Sequence, residues 1–84
     1  MSTSLKLKIV SPEKIVYDGD VEQVVLPGVM GEFQILPNHA PIISALEIGK
    51  VVYKPIANDM SSVEITGGFA EVQNNCVNIC VELK

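Results

Sequence analysis

The feature that most constrains this chain is a period of two. In Leu5-Lys6-Leu7-Lys8-Ile9 apolar residues alternate with lysines, and successive side chains of a strand point to opposite faces, so the apolar set shares one side and the charges the other. That is a half-buried strand. The rhythm returns at the far end, where Val77, Ile79, Val81 and Leu83 make one face and Cys76, Asn78, Cys80 and Glu82 the other. Between them lie more β-rich runs bounded by turn residues. Glu13 to Tyr17 and Val21 to Leu26 flank Asp18-Gly19-Asp20, which leaves either a hairpin or one strand broken by a bulge. Phe33 to Leu36 follows the glycine-punctuated loop Pro27-Gly28-Val29-Met30-Gly31. Val51 to Tyr53 ends at Pro55, and Asn58-Asp59 supplies a turn before Val63 and Ile65. Gly67-Gly68 marks a bulge or a close backbone crossing. Asn74-Asn75 is a two-residue hairpin signal, because asparagine tolerates positive φ.

One stretch reads two ways. Asn38 is a possible cap for a short helix holding Ile42, Ile43 and Leu46, whereas Pro41 and the adjoining isoleucines suit an extended segment, the reading adopted. Many short strands with frequent turns point to an all-β sandwich or barrel. At 84 residues, one domain over residues 1–84 is expected. A domain this small buries only about 60–65% of its unfolded surface, so it needs a well-filled core or a partner. The 48% hydrophobic content and mean hydropathy of +0.34 agree with a core and some apolar surface left for a partner.

The formal charge is −4, the lysines are scattered among acids, and no arginine occurs. Nucleic-acid binding needs clustered cationic donors, and a polybasic membrane anchor needs the same, so neither is expected. MSTSLKLKIV has no apolar core like a leader's, and no stretch approaches the roughly 20 apolar residues of a spanning helix. Contact with a membrane is expected only through other proteins.

The chemistry-bearing residues are sparse. Cys76 and Cys80 would share a face of the last strand about 13 Å apart, beyond the roughly 7 Å reach of a disulfide, so both are expected as reduced thiols. A metal site would need more thiol or imidazole ligands than His39, the one histidine, can add. His39 with Ser44 or Ser11 forms no recognisable nucleophile context, so catalysis is not expected. The glycines match neither GxxxxGK[ST] nor GxGxxG, and backbone geometry is their better role.

The run LPGVMGEFQILPNHAPIISALEIGKVVYK, Leu26 to Lys54, resembles the most characteristic stretch of the epsilon subunit of F-type ATP synthases: an LPG turn, GEF, ILPNHAP, then a leucine and a glycine before a strand. Ile65 to Val72 is similar to that family's GGF-x-EV segment, Asn75 to Ile79 to its closing N-x-V-x-I strand, and Leu7 to Gly19, with SPEKIVYDG, to its opening strands. Gln34 departs from the pattern, since many relatives carry glycine there.

The resemblance implies a flattened β-sandwich or barrel of about ten short strands, non-catalytic and without cofactor, metal or small-molecule substrate. It implies a rotor subunit of the central stalk, passing rotation of the c-ring through the gamma subunit to the catalytic head. By position, Val29, Met30, Gly31 and Glu32 would meet the c-ring, and Asn38, His39 and Ala40 would lie at the rotor interface near gamma. The implied location is peripheral, on the cytoplasmic face of a bacterial inner membrane, through the complex. Many such subunits continue into a helical hairpin of roughly fifty residues that can restrain rotation or bind ATP. This sequence ends at Val81-Glu82-Leu83-Lys84, so the expectation is coupling without an inhibitory switch or nucleotide site. The competing reading is a stand-alone β-sandwich adaptor or inhibitor with some other partner.

Overall fold

Leu5, Leu7 and Ile9 are fully buried and Lys6 and Lys8 exposed, as the alternation requires. They form the first of seven strands in a computed structural model that describes residues 4–84. The first three residues, part of the segment read as lacking an apolar leader, lie outside the described residues. The strands are β1 (Leu5–Val10), β2 (Ile15–Gly28), β3 (Gly31–Ile35), β4 (Ile42–Leu46), β5 (Gly49–Pro55), β6 (Ser61–Gln73) and β7 (Cys76–Leu83). The architecture is all-β, with seven strands rather than about ten because β2 and β6 run unbroken through Asp18-Gly19-Asp20 and Gly67-Gly68. Asn38 caps no helix; it takes φ 68° in a turn, and Ile42 to Leu46 is extended.

The long strands each serve two sets of neighbours. Along one edge β2 pairs first with β1 and then with β3, while β5 takes the other edge. On β6, β5 pairs with Ser61–Ile65 and β4 with Gly68–Val72, and β7 lies along the opposite side. β1 and β7, the first and last strands, join in parallel, with Leu7 opposite Val77 and Ile9 opposite Ile79. Pairing therefore runs in a closed circuit β2, β1, β7, β6, β5 and back to β2. The result is a flattened body of 34 × 25 × 19 Å.

A bulge in each long strand makes this possible. Val21 and Gln23 oppose the consecutive residues Pro55 and Lys54, and Ile65 and Gly67 oppose Leu83 and Glu82, so Glu22 and Thr66 are the extra residues. An extra residue reverses the phase of alternation and bends the strand. The inward set of β2 accordingly shifts from Val21 to Val24 and Leu26, and that of β6 from Ile65 to Ala70 and Val72. The core joins these to Leu5, Leu7, Ile9, Ile35, Val51, Val77 and Ile79, with no buried polar or charged residue among the described residues. Each fully buried Val, Leu or Ile contributes about 1.5–3 kcal/mol relative to exposure.

Asn74 and Asn75 adopt φ 51° and 61° in the β6–β7 turn, as the hairpin signal requires. Gln34 sits in regular register opposite Val25, and its amide nitrogen donates to the side-chain oxygen of Gln23. Cys76 is half-buried and Cys80 exposed, both as free thiols.

At Gly68 the φ is 156°, and a β-carbon built there would lie 2.2 Å from the Cys80 carbonyl oxygen; at Gly67 the nearest such atom, the Leu46 carbonyl oxygen, is 3.7 Å away. Gly68→Ala is therefore expected to lose at least about 2 kcal/mol through overpacking and backbone strain. Gly67→Ala should stay within about 1 kcal/mol of the parent. Urea unfolding of the two variants checks the contrast, and equal losses would contradict the close approach at Gly68.

Tyr17 and Tyr53 stack at a 4.6 Å centroid separation and a 45° tilt. Burial first, and then the Tyr17 phenol, raise the Tyr53 hydroxyl above its ordinary 10.0. The folded chain thus holds this proton more tightly than the unfolded chain. The contribution is intact below about pH 10 and is lost as pH climbs through the raised value. Tyr53→Phe is expected to flatten the fall in stability above about pH 10, and a slope identical to the parent's would contradict it.

Candidate interaction site

The Val29 to Glu32 segment forms because β2 must reverse into β3 over two residues. Gly28 pairs with Gly31, leaving Val29 and Met30 as the turn. A β-carbon at Gly28 would meet the Phe33 ring at 2.7 Å and the Gly31 carbonyl oxygen at 2.8 Å, and Gly31 takes φ 127°. The hairpin is thereby folded tightly onto itself, and its two turn residues project. Met30 is 98% exposed and Val29 51%; Gly31 and Glu32 are exposed beside them.

The root of this hairpin is anchored. The Val29 N–H donates to the Ala45 carbonyl at 3.1 Å, and the Glu47 N–H to the Pro27 carbonyl at 2.8 Å. These bonds bring the β4–β5 turn alongside, with Ile48 63% exposed and Glu47 exposed. Ile48 and Glu47 were not picked out from the sequence. Nothing in their local pattern points to residues nearly twenty positions earlier, and the contact arises from the pairing of β2 with β4.

Asn38, His39 and Ala40 lie in the loop from β3 to β4. Asn38 and Ala40 are exposed and His39 is half-buried, its Nδ1 within 2.7 Å of the Ala40 carbonyl oxygen. The Asn38 N–H donates to Asn75 Oδ1 at 2.5 Å, and Asn75 Nδ2 donates to Asn38 Oδ1 at 3.2 Å.

The two groups do not converge on one pocket. The hairpin tip adjoins Gly31 of β3 and the Leu46 end of β4, and the Asn38 loop joins the Ile35 end of β3 to the Ile42 end of β4. A five-residue strand at about 3.3 Å per residue keeps them about 13 Å apart. No group of three or more His, Cys, Asp or Glu suited to a metal ion occurs among the described residues. No helix among them is long and apolar enough to cross a membrane.

A third exposed surface crosses the sheet. The registers align Ala45 with Phe69, Phe69 with Cys80, Cys80 with Val10, and Val10 with Ile15. Phe69 is 63% and Ile15 58% exposed, and Val10, Phe69 and Cys80 border an open cleft of about 400 Å³. The outward face of Cys80 was legible from alternation. That of Phe69 was not, because the bulge at Thr66 reverses the phase set by Val63 and Ile65.

The family model described as "ATP synthase, Delta/Epsilon chain, beta-sandwich domain" matches residues 4–83. The ATP synthase epsilon chain of Nitratidesulfovibrio vulgaris (strain DP4) is 47% identical over 83 residues, 98% of this chain and 60% of that protein. The epsilon chain of a Synechocystis strain is 41% identical over 78 residues, 93% of this chain and 57% of that one. The chain therefore spans somewhat more than half the length of these curated relatives. Among solved structures, a chain of the Euglena gracilis mitochondrial ATP synthase OSCP/F1/c-ring assembly superposes with a TM-score of 0.90 at 19% identity, covering 96% of this chain and 52% of that one. A chain from the Tetrahymena thermophila mitochondrial ATP synthase central stalk and c-ring gives 0.77 at 18% identity, covering 93% and 63%. At such identities the likeness bears on the fold alone. From the match to residues 4–83 and the identity with curated epsilon chains, this chain belongs to the ATP synthase delta/epsilon family, as its β-sandwich domain.

Proposed function

We propose that this domain is a non-catalytic coupling piece of an ATP synthase rotor, held between the c-ring and the gamma subunit. The observation that supports the reading is the separation of two exposed segments, the Val29–Met30 turn and the Asn38–Ala40 loop, at opposite ends of β3 and β4, rather than their convergence on a pocket. A coupling piece must touch two bodies and transmit load between them. A closely packed β-body transmits load because its interior has low compressibility.

The hairpin tip suits the ring contact. Met30 at 98% exposure adjoins Val29, exposed Glu32 follows on β3, and the β4–β5 turn with exposed Glu47 and Ile48 is bonded to the root of the hairpin. Apolar side chains on a tightly folded turn, rimmed by carboxylates, fit a partner surface that buries methionine and answers the acids with donors. The Asn38 to Ala40 loop suits the gamma contact at the other end. Function at the membrane then comes through the complex.

The direct test is association. The purified chain is expected to bind purified gamma and to travel with gamma and the c-ring on copurification. Absence of binding under conditions where an established epsilon chain binds would overturn the rotor reading in favour of a separate adaptor.

The ring contact has its own test. Met30→Asp adds a charge to an exposed turn, so it should change the stability of the free chain by less than about 1 kcal/mol. In reconstituted enzyme the same carboxylate would lose its water at the interface, so the ratio of ion pumping to ATP hydrolysis is expected to fall. An unchanged ratio would remove Met30 from the contact.

A further inference from the structure

The loop from β3 to β4 is bounded by Pro37 and Pro41, neither of which has a backbone N–H to give, and residues 36–41 lie outside the strand ladders. Such a segment takes its shape from bonds outside the sheet. The Asn38 N–H donates to Asn75 Oδ1 at 2.5 Å, and Asn75 Nδ2 returns a bond to Asn38 Oδ1 at 3.2 Å, across 37 positions of sequence. The main-chain carbonyl of Asn75 also accepts the Lys6 N–H at 2.8 Å. Asn75 thus ties three parts together: the entry to β1, the β6–β7 turn and the loop carrying His39.

The turn alone does not explain the residue. Asn74 and Asn75 both hold positive φ, at 51° and 61°, and glycine would satisfy either position at least as well. What distinguishes Asn75 is its side chain, which presents an acceptor to one group of Asn38 and a donor to another. Asn38 in turn takes φ 68°, a conformation that asparagine tolerates and that reciprocal bonds hold in place.

We propose that Asn75 is a positioning residue: its side chain clamps the Asn38–Ala40 loop in the shape that meets the gamma subunit, although Asn75 itself lies in the β6–β7 turn. The inference rests on the reading that this loop faces gamma. A loop ordered in advance loses less freedom on association than one that must be ordered by its partner. The clamp also links that loop to the parallel pair of β1 and β7 through the Lys6 bond, so load arriving at His39 passes into the centre of the circuit.

The test uses the full chain with Asn75→Gly, which keeps the turn and removes the clamp, and Asn74→Gly as the matching change without it. Asn75→Asp retains an oxygen for the Asn38 N–H and serves as the conservative rescue. Two quantities are read: hydrogen exchange at the Asn38 amide, and affinity for purified gamma. With Asn75→Gly, exchange at Asn38 is expected to quicken about tenfold or more and gamma affinity to fall about three- to tenfold. Amides in the β4–β6 ladder should be unaffected. Asn74→Gly should change neither quantity, and Asn75→Asp should restore most of the protection at Asn38. Unchanged exchange in Asn75→Gly would overturn the clamp, and faster exchange with affinity within about twofold of the parent would overturn its positioning role. Failure of the parent chain to bind gamma overturns the rotor reading instead, and exchange at Asn38 still reports whether the clamp exists.

Discussion

β2 and β6 must each face the core with odd-numbered residues along one half and even-numbered residues along the other. A strict period of two forbids that within one straight strand. Glu22 and Thr66 resolve it as extra residues that let Val21 be buried together with Val24, and Ile65 together with Ala70. The bend at these points is what allows β5 to lie between the early half of β6 and the later half of β2, closing the circuit. Gly68 is part of the same device, since β6 emerges from its bulge close against the Cys80 carbonyl. Without the phase change, half of either long strand would turn its apolar face to water.

Closure also explains where the polar bonds lie. With the core filled by aliphatic side chains and Tyr53, no side-chain donor or acceptor is buried without a partner among the described residues. The side-chain bonds belong to the periphery: the Gln23 and Gln34 pair, the reciprocal asparagines, and the Lys54–Glu22 ion pair at 2.9 Å. The ion pair is partly exposed on both sides and contributes about 0–1 kcal/mol. Stability rests on burial, whereas the peripheral bonds fix the shape of exposed turns and loops.

The candidate surfaces were unequally legible. Val29 and Met30 could be read as a projecting turn from the glycines on either side, because a two-residue reversal leaves their side chains nowhere to pack. Asn75 was identifiable as a turn residue and Asn38 was read as a possible helix cap or part of an extended segment, yet their bonding was not legible, since 37 positions separate them and only the pairing of β4 with β6, Ile42 opposite Val72, brings them together. Ile48 joined the hairpin tip for a similar reason. The about ten strands expected became seven because turn-like residues such as Asp18-Gly19-Asp20 can also lie within a continuous strand when a neighbour supplies its ladder.

Sequence by itself determined which residues of β1 and β7 face inward, that the chain is all-β, that Asn74-Asn75 turns a hairpin and that Gly67-Gly68 marks a close backbone approach. These are local properties: alternation and left-handed φ preferences act within a few residues. The tertiary structure alone decided that first and last strands pair in parallel, that Phe69 faces outward, and that the Val29–Met30 turn and the Asn38–Ala40 loop stand at opposite ends of β3 and β4. Each of these follows from register between segments distant in the chain. Register is set by simultaneous burial of many side chains, a sum over the whole fold that no single stretch of sequence carries.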